Sequence, residues 1–142
     1  MTLLDANALI GLLIGESARE KVAELLRTGE CAIPAACLSE VVDSLMRKHG
    51  VDRPSLAQRL GPLLDEVLTV LPVDTRLSWR AGELRAAHYH RADSSLSLAD
   101  CLLLASAGPD DRVATADSAV IALAEKLGIA TIPLTNSDDS QP

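Results

Sequence analysis

The pattern that most constrains the fold is an alternation of short apolar runs with longer stretches of helical periodicity. The strand candidates are Leu3-Leu4, Cys31 to Ile33, Thr69 to Leu71, Arg112 to Ala114 and Ile129 to Leu134. Between them the spacing predicts helices over 7–14, 17–27, 38–49, 54–68, 74–90, 97–107 and 118–127. Strands that alternate with helices along one chain predict an α/β domain. Its sheet is short, mostly parallel and covered by helices on both faces, which makes three layers. At 142 residues the chain makes one domain, read as 1–135, with a polar tail, 136–142, expected to be disordered. No repeat and no Pro/Gly/Ser-rich linker divides it.

Local signals mark the element ends. Ser17 with Glu20 reads as a capping box, and Thr28-Gly29 as the stop of the same helix. Leu38, Val41, Val42, Leu45 and Met46 give the helix 38–49 its apolar side. Pro54 suits a first helical turn, whereas Gly61-Pro62 predicts a kink or break.

Hydrophobic residues make 48% of the chain and charged residues 23%, which excludes global disorder. Trp79 and Tyr89 are the only aromatic residues, so Leu and Ala must fill the core. That excludes an RNA binder that stacks bases on sheet aromatics. A net charge of −7 disfavours non-specific coating of DNA, which works by phosphate neutralisation. Cys31, Cys37 and Cys101 are odd in number and lack a CxxC spacing. They read as buried thiols rather than a disulfide or zinc centre. The start MTLLD has no basic segment, and the apolar stretch from Ala8 to Ile14 is too short to cross a bilayer. We expect a cytoplasmic protein without a membrane span.

In a doubly wound sheet, ligands bind at the carboxyl ends of the strands. Four acids fall there or in the helix starts that follow: Asp5, Glu40, Asp100 and Asp117. Each has a structural alternative. Asp5 and Asp117 suit helix N-caps, and Asp100, three residues after Ser97, suits a capping box. Glu40 has no obvious cap partner. Four carboxylates in one crevice repel and raise one another's pKa, a conflict that a hard divalent cation resolves.

The ordered segments Leu4-Asp5-Ala6-Asn7-Ala8-Leu9, Ser39-Glu40-Val41, Leu96-Ser97-Leu98-Ala99-Asp100-Cys101 and Ala114-Thr115-Ala116-Asp117 carry a family signature. With them the chain resembles PIN-domain ribonucleases across about residues 2–134, most closely the VapC-type toxins of bacterial toxin–antitoxin pairs. The resemblance implies that Asp5, Glu40, Asp100 and Asp117 bind Mg²⁺ or Mn²⁺ and that Asn7 and Thr115 orient them. It implies metal-assisted hydrolysis of RNA leaving a 3′-hydroxyl and a 5′-phosphate. It also implies a homodimer held inactive by a VapB-type antitoxin, which would carry any promoter binding. Many relatives have a further acid and an aromatic after the fourth motif, where this chain has Ala119 and Val120. No fifth acidic ligand is expected there, and Asp43 and Asp93 read as solvated surface.

RNA needs positive charge near the acids. Arg76, Arg80, Arg85 and Arg91, on and just after the helix 74–90, are the first candidates, against the plainer reading of a solvated basic face. The cluster Arg47-Lys48-His49 with Arg53 is a second. Trp79 and Tyr89 are expected in core or interface packing. His88 and His90, two apart on one expected helix, would diverge and form no joint metal site. The competing class is a non-catalytic PIN-like module that binds RNA or protein. Phosphoaspartate, GxGxxG and P-loop motifs are absent.

Overall fold

Residues 1–16 and 18–134 are described by the structure, a computed structural model. Five short strands form one sheet: β1 (Thr2–Leu4), β2 (Cys31–Pro34), β3 (Leu68–Leu71), β4 (Arg112–Thr115) and β5 (Ala130–Pro133). Their order is β3-β2-β1-β4-β5, and every pairing is parallel. The helices are α1 (Ala6–Ile14), α2 (Arg19–Thr28), α3 (Ala35–Arg47), α4 (Arg53–Glu66), α5 (Thr75–His88), α6 (Leu98–Ser106) and α7 (Ser118–Leu127). The α/β expectation therefore holds, with a sheet that is wholly parallel among the described residues.

The chain starts at the centre of the sheet, winds outward through β2 and β3, then returns to β1's other side with β4. This puts a topological switch point between β1 and β4, where connections leave in opposite directions and open a crevice. The register Leu4↔Ala114 brings the residues after both strands to that crevice. Strands β1 and β2 are buried throughout, which is why they read as continuous apolar runs rather than alternations. The core is built from aliphatic side chains: Leu3, Leu4, Leu9, Ile33, Leu45, Leu96, Leu103 and Leu104 are fully enclosed. Each buried Leu contributes about 1.5–3 kcal/mol, so the fold needs no aromatic centre.

Several boundaries differ from the sequence reading for physical reasons. Helix α3 starts at Ala35, not 38, because Pro34 itself takes the extended N-cap conformation, φ −61° and ψ 144°. Helix α4 runs unbroken through Gly61-Pro62. Pro62 is exposed and so is Gln58 one turn earlier, which leaves the carbonyl freed by Pro62 to water. Helix α5 stops at His88, and an antiparallel bridge between His90 and Ser94 folds the following loop back. The Ser17 capping box and the tail 136–142 lie outside the described residues. All three cysteines are buried free thiols. No helix among the described residues is long and apolar enough to cross a membrane.

Candidate functional site: four carboxylates at the switch point

Asp5 ends β1 and caps α1. Its Oδ1 accepts from the Ala8 amide at 2.8 Å, and its Oδ2 accepts from the Thr115 hydroxyl at 2.6 Å. The second bond crosses the switch point, since Thr115 is the last residue of β4. Thr115 is buried, and its Oγ1 also accepts the Asp117 amide at 3.0 Å. One hydroxyl thus ties the ends of β1 and β4 to the start of α7. Asp117 caps α7 through Oδ1, which accepts from Ala119 at 2.8 Å and Val120 at 3.3 Å. Asp100 closes the capping box of α6: Ser97 accepts the Asp100 amide at 3.0 Å, and Asp100 Oδ2 accepts the Ser97 amide at 3.0 Å. Glu40 projects from the second turn of α3, where it is largely exposed.

The cap and site readings of these acids are therefore compatible, because each cap occupies only part of a carboxylate. Asp117 Oδ2, Asp100 Oδ1 and both Glu40 oxygens accept no hydrogen bond among the described residues. Nor does any Lys or Arg pair with one of the four acids among those residues.

The electrostatics record their convergence. Burial pushes the Asp5 carboxyl above the ordinary carboxylate range, against the lowering by Thr115 and Ala8, and Asp100 and Asp117 push it further. Glu40 is raised by partial desolvation and then by Asp100, Asp5 and Asp43. Asp100 is raised by burial, which outweighs its bonds to Ser97, and also by Asp117. Asp5 and Glu40 each feel Asp100 as a like charge, and Asp100 feels Asp117.

Beneath them lies Cys37, whose thiol is pushed up to about 12 by burial and then by Glu40, Asp5 and Asp100. The sequence reading made it a core thiol and missed its position under the acids. The usable signal was its spacing, three residues before Glu40 and hence on the same side of α3. Asn7, read as an orienting group, is exposed on α1 beside a small hollow lined by Ala8, Gly11, Glu16 and Ala116. Thr115, read likewise, is buried and bonded to Asp5 and to the Asp117 amide.

The arginines separate into two groups. Arg76, Arg80 and Arg91 are exposed. Arg85 is half-buried: its Nε donates to the Leu96 carbonyl at 2.8 Å, and its guanidinium lies 4.4 Å from the Tyr89 ring centre. It braces the α5–α6 connection. Trp79, 73% exposed, is not in the core. The larger hollows lie away from the acids. One of about 750 Å³ sits among Met1, Glu30, Cys31 and Leu68 at the amino ends of the strands, the opposite edge from the switch point.

Comparison with known proteins decides the family. The PIN domain family model matches residues 2–139, nearly the whole chain. The chain belongs to the PIN domain family. Among solved structures, this PIN domain is similar to a toxin–antitoxin complex from Klebsiella pneumoniae (TM-score 0.69, 21% identity, covering 96% of this chain and 99% of that one). It is also similar to FitAcB from Neisseria gonorrhoeae (TM-score 0.62, 22% identity, 93% and 96% covered). A third is the Mycobacterium tuberculosis toxin VapC20, described as cleaving the sarcin–ricin loop (TM-score 0.61, 17% identity, 99% and 94% covered). At these identities the likeness is one of fold. No curated protein sequence matches the chain.

Proposed function

We propose that this PIN domain is an endoribonuclease toxin that hydrolyses RNA phosphodiester bonds with Mg²⁺ or Mn²⁺ held by Asp5, Glu40, Asp100 and Asp117. One observation carries the reading. Four carboxylates meet at the switch point with no basic partner among the described residues, and three of them are raised in pKa by burial and by one another. Such a cluster destabilises the metal-free fold, and a cation removes that cost.

The donor set fits a hard cation. Among the described residues no three His, Cys, Asp or Glu side chains form a ready-made cage. Mg²⁺ does not need one, since it takes one or two carboxylates and keeps several waters. The nearby sulfur, Cys37, is buried, and the oxygen donors of the four acids suit a hard cation. When bound, the cation supplies charge neutralisation and Lewis-acid polarisation of a phosphodiester. The protein's own groups do the rest. Thr115 fixes Asp5 and the α7 start in one arrangement. Glu40, exposed and free of hydrogen bonds among the described residues, leaves both of its oxygens available to the cation.

Arg76, Arg80 and Arg91 offer guanidinium groups to RNA phosphates, with Arg85 supporting the α5–α6 connection rather than reaching out. A neighbour that cleaves the sarcin–ricin loop supports a structured RNA substrate, with transfer RNA the alternative that the family resemblance implies. One neighbour is a toxin–antitoxin complex, another is VapBC2 bound to a DNA fragment from its promoter and a third is FitAB bound to a DNA fragment, which supports a VapB-type antitoxin as partner, with DNA contact on the antitoxin and none by this chain. Trp79, Tyr89 and Leu98, respectively 73%, 44% and 55% exposed, form apolar surface suited to a homodimer or antitoxin contact. We place the activity in the cytoplasm, with its RNA.

Purified protein incubated with ribosomal and transfer RNA in Mg²⁺ or Mn²⁺ should cut at defined positions and stop in EDTA. An Asp100→Asn protein that cuts at the wild-type rate contradicts the assignment. The absence of a ready-made ligand cage favours a second reading, a non-catalytic PIN-like module binding RNA or protein. It is supported if no RNA is cut and divalent cations leave the melting temperature unchanged.

A further inference from the structure

A groove of about 380 Å³ runs beside α7, lined by Ser118, Ala119, Ala122, Leu123 and Lys126 on one side and by His88, His90, Asp93 and Ser94 on the other. Its lining begins at Ser118, the residue after Asp117. Ser118, Ala122 and Lys126 recur every four residues and make one stripe along the helix. Lys126 stands about 12 Å along the axis from Ser118. Small residues keep the floor shallow near the acids, and a cation closes the far end.

The opposite wall exists because α5 ends early. On a continuous helix His88 and His90 would diverge. Tyr89 is extended, with φ −67° and ψ 130°, and the His90–Ser94 bridge folds the chain back, so both rings line one groove. His90 Nδ1 lies 3.2 Å from the Asp93 amide and 3.4 Å from Asp93 Oδ2, so Asp93 engages that nitrogen and Nε2 is left for a ligand. The groove therefore combines two imidazoles, two hydroxyls and an ammonium around an apolar floor, with its one carboxylate, Asp93, turned to His90. An unstacked nucleotide uses such groups: a face for stacking, donors for the sugar and base edges, and a cation for phosphate.

We infer that the groove between α7 and the 88–94 loop receives an RNA nucleotide flanking the scissile phosphate, with Lys126 on its phosphate and the His88 and His90 rings against its sugar and base. This rests on the ribonuclease reading and adds to it where the strand goes on leaving the acids. It also explains how a chain with two aromatic residues, neither lining this groove, can hold a single strand.

The test measures binding apart from cutting. In an Asp100→Asn background with Mg²⁺, a fluorescein-labelled single-stranded RNA 12-mer is titrated with protein. Ala122→Trp fills the floor, Lys126→Glu reverses the end charge, and Arg59→Glu, exposed on α4, controls for net charge. Melting curves verify that each protein is folded. The expected result is affinity loss of about fivefold or more for Ala122→Trp and Lys126→Glu, the low end of one stacked base. Lys126→Glu should also lower the salt slope of binding by about one, and Arg59→Glu should change neither quantity. If wild type cuts RNA while both groove variants bind as tightly as the background protein, the groove inference fails and the ribonuclease reading stands. If wild type cuts nothing and the Asp100→Asn protein binds no RNA, both fail.

Discussion

Asp5 and Asp111 flank the same pair of central strands from opposite edges, and their environments are opposite. Asp111 precedes β4. It receives the Met1 ammonium at 2.9 Å and the Gly108 amide at 2.8 Å, and these hold its carboxyl below the ordinary range. Asp5 follows β1 and receives a hydroxyl and an amide, yet burial and two neighbouring carboxylates hold it above that range. At the amino edge the fold neutralises its acid with a charge of its own. At the carboxyl edge it gathers acids and, among the described residues, supplies no such charge. The difference separates a structural carboxylate from one placed to meet a cation.

The largest effect that tests this contrast is on RNA cutting. Asp5→Asn and Asp100→Asn should each lower the rate by roughly a thousandfold, the several kcal/mol of charge stabilisation a held cation provides. Asp111→Asn should leave cutting at the wild-type rate. Equal rates for all three, by gel analysis of the products, would erase the distinction.

Next comes metal-dependent stability. At a hundredfold excess of Mn²⁺ over its dissociation constant, native-state binding adds about 2.7 kcal/mol. Scanning calorimetry should show the corresponding rise in melting temperature for wild type and Asp111→Asn, and its loss for Asp5→Asn. Thr115→Val comes third, because it leaves the Asp5 carboxylate and the Asp117 amide short of a partner. Chemical denaturation should show a cost of about 1–3 kcal/mol, and cutting should fall by about 10–100-fold as the acids lose their support.

The pH dependence distinguishes the two edges by sign. Asp5 binds its proton more tightly folded than unfolded, so its contribution to stability declines as pH rises from its ordinary value through its raised one. Asp111 is the reverse: its contribution is complete above the ordinary value and is lost as pH falls through the lowered one. Relative to metal-free wild type, Asp5→Asn should gain stability between about pH 4 and neutrality. Asp111→Asn should be less stable than wild type above about pH 4, by no more than about 1 kcal/mol for a partly exposed ion pair, and the deficit should vanish as pH falls into the acid range. Parallel pH curves for the two variants would remove the contrast.

How far this was legible in the sequence follows from which residues act locally. Asp5 and Asp117 sit where strands give way to helices and Asp100 in the first turn of α6, so their caps are fixed by neighbours in the chain. The strand–helix alternation likewise reads directly as a parallel sheet. Glu40's approach to Asp5 and Asp100 is a product of the packing of α3 against α1 and α6, and no local pattern encodes it. Cys37 under the acids has the same origin. Arg85 looked like its exposed neighbours Arg76 and Arg80, because an arginine's destination depends on a carbonyl eleven residues away, that of Leu96. The convergence of His88 and His90 was hidden because it depends on α5 ending at His88.

The central claim is that the carboxyl-edge acids hold a divalent cation, and calorimetric titration of Mn²⁺ into metal-free protein near neutral pH tests it most directly. The account predicts saturable binding by wild type and Asp111→Asn that is lost or strongly weakened in Asp5→Asn and Asp100→Asn. Undiminished binding by those two variants, or no binding by wild type at millimolar Mn²⁺, would contradict it.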